Sequence, residues 1–362
     1  MRKRMLMATA ATVTGALFAA EAMAQQVTVM SWGGSYGRSQ VEAYLNPFTA
    51  ETGIATTMVD ADNPATPIRA MVEAGNVSIN VADVELSDAI RLCDEGLLEV
   101  LELSELPPAP DGTPAEEDFV AGSLISECAV PSIVWSTVFA YRTDRMGDTP
   151  PTSIADFFDL EAFPGRRGMR RDAKANLEMA LMGDGVPADE VYDLLMTEEG
   201  VDRAFAVLDR IKNQIVWWEA GAQPPQLLAD GEVVMTTAYN GRIFNAQVEE
   251  NQPFNIVWDG QILDFDLFVI PRGAPDQEAA WQFIKFATDT QRLADQAAWI
   301  AYGPARLSSA PYVGLFMDGV TEMGPHMPTA PENLTNALVN DFEFWADRDV
   351  ELNERFNAWL LN

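Results

Sequence analysis

Apolar positions in the first third of the chain form short strand-like runs, and each run is followed by a helical segment. Alternating and β-branched residues predict strands at 27–32, 54–59 and 82–86. Helices are expected after them at 39–52, 67–74 and 87–95. The glycines of 33–37 predict a turn between the first strand and its helix. This order indicates βα units on a parallel or mixed sheet.

Two longer apolar runs, 133–141 and 262–270, predict strands that carry the chain between two lobes. Additional helices are expected at 173–182, 201–214, 277–288, 291–299 and 350–360. We therefore expect an α/β fold of two lobes, each a mixed sheet flanked by helices, joined by a hinge that the chain crosses twice. A cleft between such lobes is where a small ligand binds.

The first residues have the pattern of a secretory signal peptide. Arg2, Lys3 and Arg4 precede an uncharged apolar run at 5–20, and Ala22 and Ala24 fit the small-x-small cleavage rule. The run is shorter than the roughly 20 residues that span a membrane. We expect a periplasmic protein with no stable membrane insertion. The expected division is a signal peptide at 1–25, an N-terminal lobe of 26–135 plus 264–310, and a C-terminal lobe of 136–263 plus 311–362.

The charge is strongly negative. Lys and Arg number 23 against 55 Asp and Glu, a formal net charge of −32. Such a field repels nucleic acid and anionic lipid and draws cations, so no nucleic-acid partner is expected. The acidity fits either solubility in a salty habitat or a cationic ligand. Cys93 and Cys128 are the two cysteines, and in an oxidising compartment we expect them to pair as a disulfide.

Motifs for catalysis are absent from the sequence. It contains no GxSxG, HExxH or P-loop, and His326 is its only histidine. No metal, cofactor or enzymatic activity is expected. An exported hydrolase that uses a carboxylate pair remains an alternative.

Aromatic residues and acids lie where the predicted strands end. Trp32, Tyr36, Tyr239 and Tyr302 sit in or beside turns, and Asp264 or Asp266 adds negative charge. Aromatic faces with carboxylates form a box for a cation, each face contributing ~0.5–2 kcal/mol. Trp217 and Trp218 are expected in the core instead.

A basic cluster stands out in this acidic chain. It comprises Arg166, Arg167, Arg170, Arg171 and Lys174, beside Asp172. Its guanidinium groups either bind an anionic group of the ligand or pair with nearby acids.

Several segments in order carry a family resemblance, namely 31–36, 48–54, 172–181, 239–241 and 266–271. On these the chain resembles the periplasmic spermidine/putrescine-binding proteins of ABC importers, within family 1 of the extracellular solute-binding proteins. The resemblance covers about 27–360. It implies aromatic walls and amine-binding carboxylates at Trp32, Tyr36, Asp172, Tyr239, Asp266 and Tyr302.

The resemblance also implies partners and a mechanism: a monomeric receptor that closes on an amine or amino-acid-like ligand, breaks no bond in it, and docks on ABC permease subunits. Three positions depart from the family pattern. Ala175 replaces an acid, while Asp264 and Tyr239 each replace a tryptophan. The ligand therefore stays open among spermidine, putrescine, a betaine, a guanidino compound and an amino acid. Arg170 and Arg171 would suit a zwitterion. A ferric-ion or oxyanion receptor on the same fold is the other alternative.

Overall fold

A computed structural model describes residues 25–361, so the predicted signal peptide lies outside the described residues except for Gln25. The described strands form one mixed sheet in the order β2-β1-β3-β8-β4-β7-β5-β6, with β10 beside β8 and β9 beside β4. Its strands are β1 (Gln26–Ser31), β2 (Ala55–Asp60), β3 (Val81–Glu85), β4 (Ala129–Arg142), β5 (Arg167–Arg170), β6 (Ile215–Trp218), β7 (Met235–Tyr239), β8 (Phe254–Val269), β9 (Gly303–Pro304) and β10 (Leu338–Val339).

Helices flank this sheet. They are α1 (Gly34–Gln40), α2 (Asn46–Thr52), α3 (Ala65–Glu73), α4 (Leu86–Asp94), α5 (Ala115–Asp118), α6 (Ile154–Phe158), α7 (Asn176–Gly183), α8 (Val191–Leu195), α9 (Glu198–Ile211), α10 (Gln223–Ala229), α11 (Asn240–Val248), α12 (Gln277–Ala287), α13 (Thr290–Ala297) and α14 (Phe342–Leu361). A π-helical segment, Val41–Leu45, connects α1 to α2.

The two longest strands, β4 and β8, lie side by side and antiparallel in the middle of the sheet. On one side, β3, β1 and β2 continue the sheet, and β1 pairs in parallel with both of its neighbours. On the other side, β7, β5 and β6 continue it, and β5 also pairs in parallel with both neighbours. The expected α/β architecture of two lobes joined by two crossing strands is therefore present.

Each lobe has its own apolar core. Two clusters, one containing Phe48 and Phe283 and the other Ile68 and Val84, draw their buried members from 27–134 and 263–305. A third cluster, which includes Trp345, draws its buried members from 139–262 and 338–356. The exact lobe boundaries given above stay a prediction.

Several predicted elements have different bounds in the structure. The expected turn at 33–37 is confined to Gly33 and Gly34, because both have positive φ and α1 begins at Gly34. The strand predicted at 262–270 begins at Phe254, and the terminal helix begins at Phe342 instead of 350. Cys93 and Cys128 form the expected disulfide. No helix within residues 25–361 has the length and apolar character needed to cross a membrane.

Candidate functional site

The ends of five parallel-paired strands meet between the lobes. Glu85, Arg170, Trp218 and Tyr239 are the last residues of β3, β5, β6 and β7, and Trp32 directly follows β1. In α/β sheets the carboxyl ends of strands form the ligand-binding edge. Here two such edges, one from each lobe, face each other across β4 and β8.

A cavity of about 250 Å³ lies at this junction. It is lined by Trp32, Tyr36, Glu85, Trp135, Tyr239, Arg242, Asp266 and Tyr302. The rings support one another edge to face, with centroids 5.3 Å apart for Tyr36 and Tyr302 and 4.9 Å apart for Trp135 and Tyr239. Such contacts hold the rings in one geometry.

Asp266 is the carboxylate of this cavity that has no cationic partner within the described residues. The register of β4 and β8 places Trp135 opposite Asp264, so Asp266 is its diagonal cross-strand neighbour. The Trp135 Nε1–H donates to Asp266 Oδ1 at 2.8 Å, while Oδ2 accepts no hydrogen bond from residues 25–361. Burial, followed by the nearby charges of Asp83, Glu85 and Asp264, raises the pKa of Asp266 well above its usual range.

A second acid, Glu85, is neutralised by the protein itself. Its carboxylate pairs with Lys174 Nζ at 2.7 Å and with Arg170 Nη1 at 3.3 Å, both from the opposite lobe. Lys174 also pairs with Asp264 at 2.8 Å. Burial opposes ionisation of Glu85, but Lys174 and Arg170 lower its pKa. This buried cluster joins the two lobes beside the cavity.

The Arg170 guanidinium lies beside two aromatic rings that were predicted from the sequence to contact a cationic ligand. Its Cζ lies 5.9 Å from the ring centroid of Trp32 and 5.9 Å from that of Tyr239. The protein thus supplies its own cation to these two rings. A second cavity, of about 390 Å³, adjoins the first here and is lined by Arg170, Lys174, Trp218, Thr237 and Asp264, among others.

Buried donors without a partner among the described residues surround both cavities. They are Trp32 Nε1, Tyr36 Oη, Trp218 Nε1, Thr237 Oγ1 and Arg242 Nε. Buried N–H and O–H groups are normally paired, because leaving one unpaired costs about 1–3 kcal/mol. A ligand with acceptor oxygens would satisfy some of these groups.

The predicted site residues separate into three groups. Trp32, Tyr36, Tyr239, Asp266 and Tyr302 line the first cavity, while Asp264 and Arg170 line the second. Two others line neither cavity. Asp172 accepts a hydrogen bond from the Lys174 N–H at 3.1 Å, and Arg171 is half-exposed and pairs with Glu219 at 3.1 Å.

Several cavity residues were not predicted from the sequence, among them Glu85, Trp135, Trp218, Thr237 and Arg242. Glu85 ends β3, so its position at a strand end was the available signal. Trp218 was expected in the core, and it is buried against Tyr239 yet also lines the second cavity. Trp135 lies inside a long apolar strand, where the sequence gives no signal for a ligand contact.

Comparisons with known proteins agree with this geometry. Residues 43–329 match the family model described as bacterial extracellular solute-binding protein. A gamma-aminobutyric acid-binding protein from Pseudomonas aeruginosa is 44% identical over 341 residues, which are 94% of this chain and 92% of that protein.

Two solved structures extend the comparison. The binding protein MotA from A. tumefaciens B6, in complex with glucopine, has a TM-score of 0.84 and 29% identity over 93% of this chain and 100% of its own. A GABA receptor has a TM-score of 0.78 and 31% identity over 93% of this chain and 98% of its own. Both similarities cover nearly the whole described chain.

Proposed function

Because this chain belongs to the bacterial extracellular solute-binding proteins, we propose that it is a periplasmic receptor for a small zwitterionic amine. The ligand class we favour is an ω-amino acid such as gamma-aminobutyric acid (GABA), which the receptor would deliver to an ABC permease. The observation that carries this proposal is the contrast between Asp266, an acid with no cationic partner, and Arg170, a cation held at the other cavity.

The ammonium end of the ligand is assigned to Asp266. Its Oδ2 has no donor among residues 25–361, and Trp135 fixes the other oxygen at 2.8 Å. An ammonium placed here gains a charged hydrogen bond and the electron-rich faces of the surrounding rings. Burial raises the pKa of Asp266, and a bound ammonium would oppose that rise by favouring the ionised carboxylate.

The carboxylate end is assigned to the region around Arg170. That guanidinium contacts Trp32 and Tyr239, and the unpaired Trp218 and Thr237 donors line the same cavity. A ligand carboxylate is an acceptor for all three kinds of group. A diamine such as putrescine would instead bring a second ammonium towards Arg170, which costs energy in a buried site.

Capture is proposed to work by closure of the two lobes. Glu85 of one lobe pairs with Arg170 and Lys174 of the other, so these bonds exist only when the lobes are together. A ligand that touches both lobes stabilises the closed form by its differential affinity. No bond is made or broken in the ligand.

Isothermal titration of the purified mature protein with GABA and putrescine tests the ligand class, because both ligands present an ammonium on a short carbon chain. We expect GABA to bind and putrescine to bind at least ~10-fold more weakly, since only GABA matches Arg170. Tighter binding of putrescine would overturn the zwitterion proposal and favour a polyamine. Binding of neither, with binding of ferric citrate, would replace the amine class altogether.

A transport assay tests the delivery step. Uptake of labelled GABA should fall when the gene is deleted and return with the wild-type chain, but not with Asp266→Asn. Normal uptake in the deletion strain would contradict the assigned role.

A further inference from the structure

Arg242 is a buried cation that crosses the cleft without binding any carboxylate of the described chain. It lies on α11 in the second lobe, and only 4% of the residue's surface is exposed. Its Nη1–H donates to the Gly33 carbonyl at 3.0 Å and its Nη2–H to the Trp32 carbonyl at 3.1 Å, both directly after β1 in the first lobe. The guanidinium therefore fastens one lobe to the backbone of the other.

The same side chain separates the ligand cavity from a groove outside it. Arg242 lines the first cavity and also an outer groove of about 850 Å³, whose other lining residues include Gly34, Ser35, Arg38, Ala222, Asn245 and Glu249. A ligand that leaves the cavity towards this groove has to displace the guanidinium and break its two bonds.

The glycines after β1 are what permit this approach. Gly34 has a φ of +59°, and a Cβ at this position would overlap Arg242 Nη1. Any other residue at position 34 would therefore strain the backbone and push the guanidinium away. The turn is built for Arg242, although the two groups lie more than two hundred residues apart in the chain.

We propose that Arg242 is the closure latch of this receptor and a positioning residue that sets how long the closed form, with its ligand, persists. Its two latch bonds go to backbone carbonyls, while its Nε–H has no acceptor among residues 25–361, so the comparison made without ligand isolates the latch. The latch rests on the proposed lobe closure, whereas the choice of GABA as the probe rests on the proposed ligand class.

The test measures the distance between the lobes by single-molecule fluorescence transfer, with dyes on Glu278→Cys and Glu199→Cys, two exposed positions on α12 and α9. The closed dwell time is compared for the parent protein, Arg242→Gln, Arg242→Lys and the control Arg38→Gln, with and without GABA. Arg38 pairs with Glu249 at 2.5 Å across the same edge of the cleft, but it is 42% exposed.

We expect Arg242→Gln to shorten the closed dwell time about 10-fold or more, since each lost bond is a charge-assisted one. Arg242→Lys should retain part of the parent's closed dwell time, because an ammonium reaches one carbonyl but not both. Arg38→Gln should change it less than ~3-fold, as exposed ion pairs contribute little.

Equal dwell times for Arg242→Gln and the parent, in both conditions, would overturn the latch. If GABA fails to lengthen the parent's closed dwell, the ligand class is wrong. In that case the closed dwell times of the ligand-free parent and of ligand-free Arg242→Gln still test the role of Arg242. A second variant, Gly34→Ala, is expected to shorten the dwell in the same way, with Gly75→Ala as its control because Gly75 has a similar φ of +62° but open space around it.

Discussion

The indole N–H of Trp135 and the carboxylate of Asp266 form a 2.8 Å hydrogen bond across the two hinge strands. They are diagonal neighbours in the β4–β8 register, 131 positions apart in the chain. The bond orients one oxygen of a buried acid that lines the first cavity, and the other oxygen accepts no hydrogen bond from residues 25–361. The two long strands that join the lobes therefore also carry the cavity acid that has no cationic partner among these residues.

Replacing Asp266 with asparagine should weaken GABA binding about 100-fold or more. The amide still accepts from Trp135, but it cannot pair with an ammonium, and a charged hydrogen bond in a buried site contributes about 1.5–3 kcal/mol or more. Isothermal titration measures the effect. Asp209→Asn is the matched control, since Asp209 also accepts an indole N–H at 2.8 Å, from Trp359, but lines neither cavity, and it should stay within ~2-fold of wild type. Similar affinities for both variants would refute the ammonium assignment.

Affinity for GABA should rise with pH over the range in which Asp266 ionises. Burial and neighbouring acids raise the pKa of Asp266, and the Trp135 bond is what opposes that rise. An ammonium binds the ionised form, so binding releases a proton and strengthens as the pH increases towards this raised pKa. Titrations from pH 5 to 8 in buffers of different ionisation heat detect the proton release, which Asp266→Asn should abolish.

Trp135→Phe should move that pH profile to higher pH. The ring is retained, but the donor that stabilises the ionised carboxylate is lost, so the pKa of Asp266 rises further. Trp217→Phe is the control, because Trp217 packs against Phe356 and Trp359. If Trp135→Phe leaves the pH dependence of GABA affinity unchanged, the hydrogen bond from Trp135 does not lower the pKa of Asp266.

Glu178 should make the protein less stable as the pH rises from about 4.5 to 7. Burial raises its pKa to about 7, while bonds from Trp345 at 2.6 Å and Tyr192 at 3.1 Å oppose this. The folded protein therefore keeps a proton that the unfolded chain releases, and the stability loss reaches on the order of 3 kcal/mol above pH 7. Urea unfolding at several pH values measures this loss.

Glu178→Gln should reduce the slope of stability against pH, whereas Tyr192→Phe should extend the loss to higher pH by removing one opposing bond. Slopes that match wild type in both variants would mean that Glu178 is not the titrating group.

Reduction of the Cys93–Cys128 disulfide should lower the free energy of unfolding by about 4 kcal/mol. The two cysteines are 35 positions apart, and in the chain-entropy model a loop of this length has that effect on the unfolded state. Thermal melts with and without reductant measure it. The double variant Cys93→Ser/Cys128→Ser should melt at the same temperature in both conditions, and a reductant effect on that variant would point to another cause.

The alternation of strands and helices was readable in the chain because it depends on local apolar spacing. Strands at 27–32, 54–59 and 82–86 and the hinge run at 133–141 all correspond to observed strands. The first half of β8, from Phe254, escaped prediction because it combines Asn255, Asp259 and Gly260 with only a short apolar run. Gly260 adopts a φ of +75° against Ile154, which no local pattern reports.

The chemical inventory of the site was also readable in part. Trp32, Tyr36, Tyr239, Asp266 and Tyr302 were selected because aromatics and acids at strand ends gather in a cleft, and the structure brings these five together. Their roles in binding stay predictions. The sequence interpretation placed Asp172 with them, yet the structure turns it towards the backbone of Lys174.

By itself, the sequence determined the α/β architecture, the strong negative charge and the set of rings and acids available at strand ends, because these follow from residue type and near-neighbour spacing. Only the tertiary structure decided which charges are already paired. Glu85 meets Lys174 from 89 positions away, and Arg242 meets Gly33 from 209 positions away. Electrostatic pairing depends on distances of a few ångströms between remote elements, and those distances leave Asp266 as the carboxylate of the first cavity that has no cationic partner among residues 25–361.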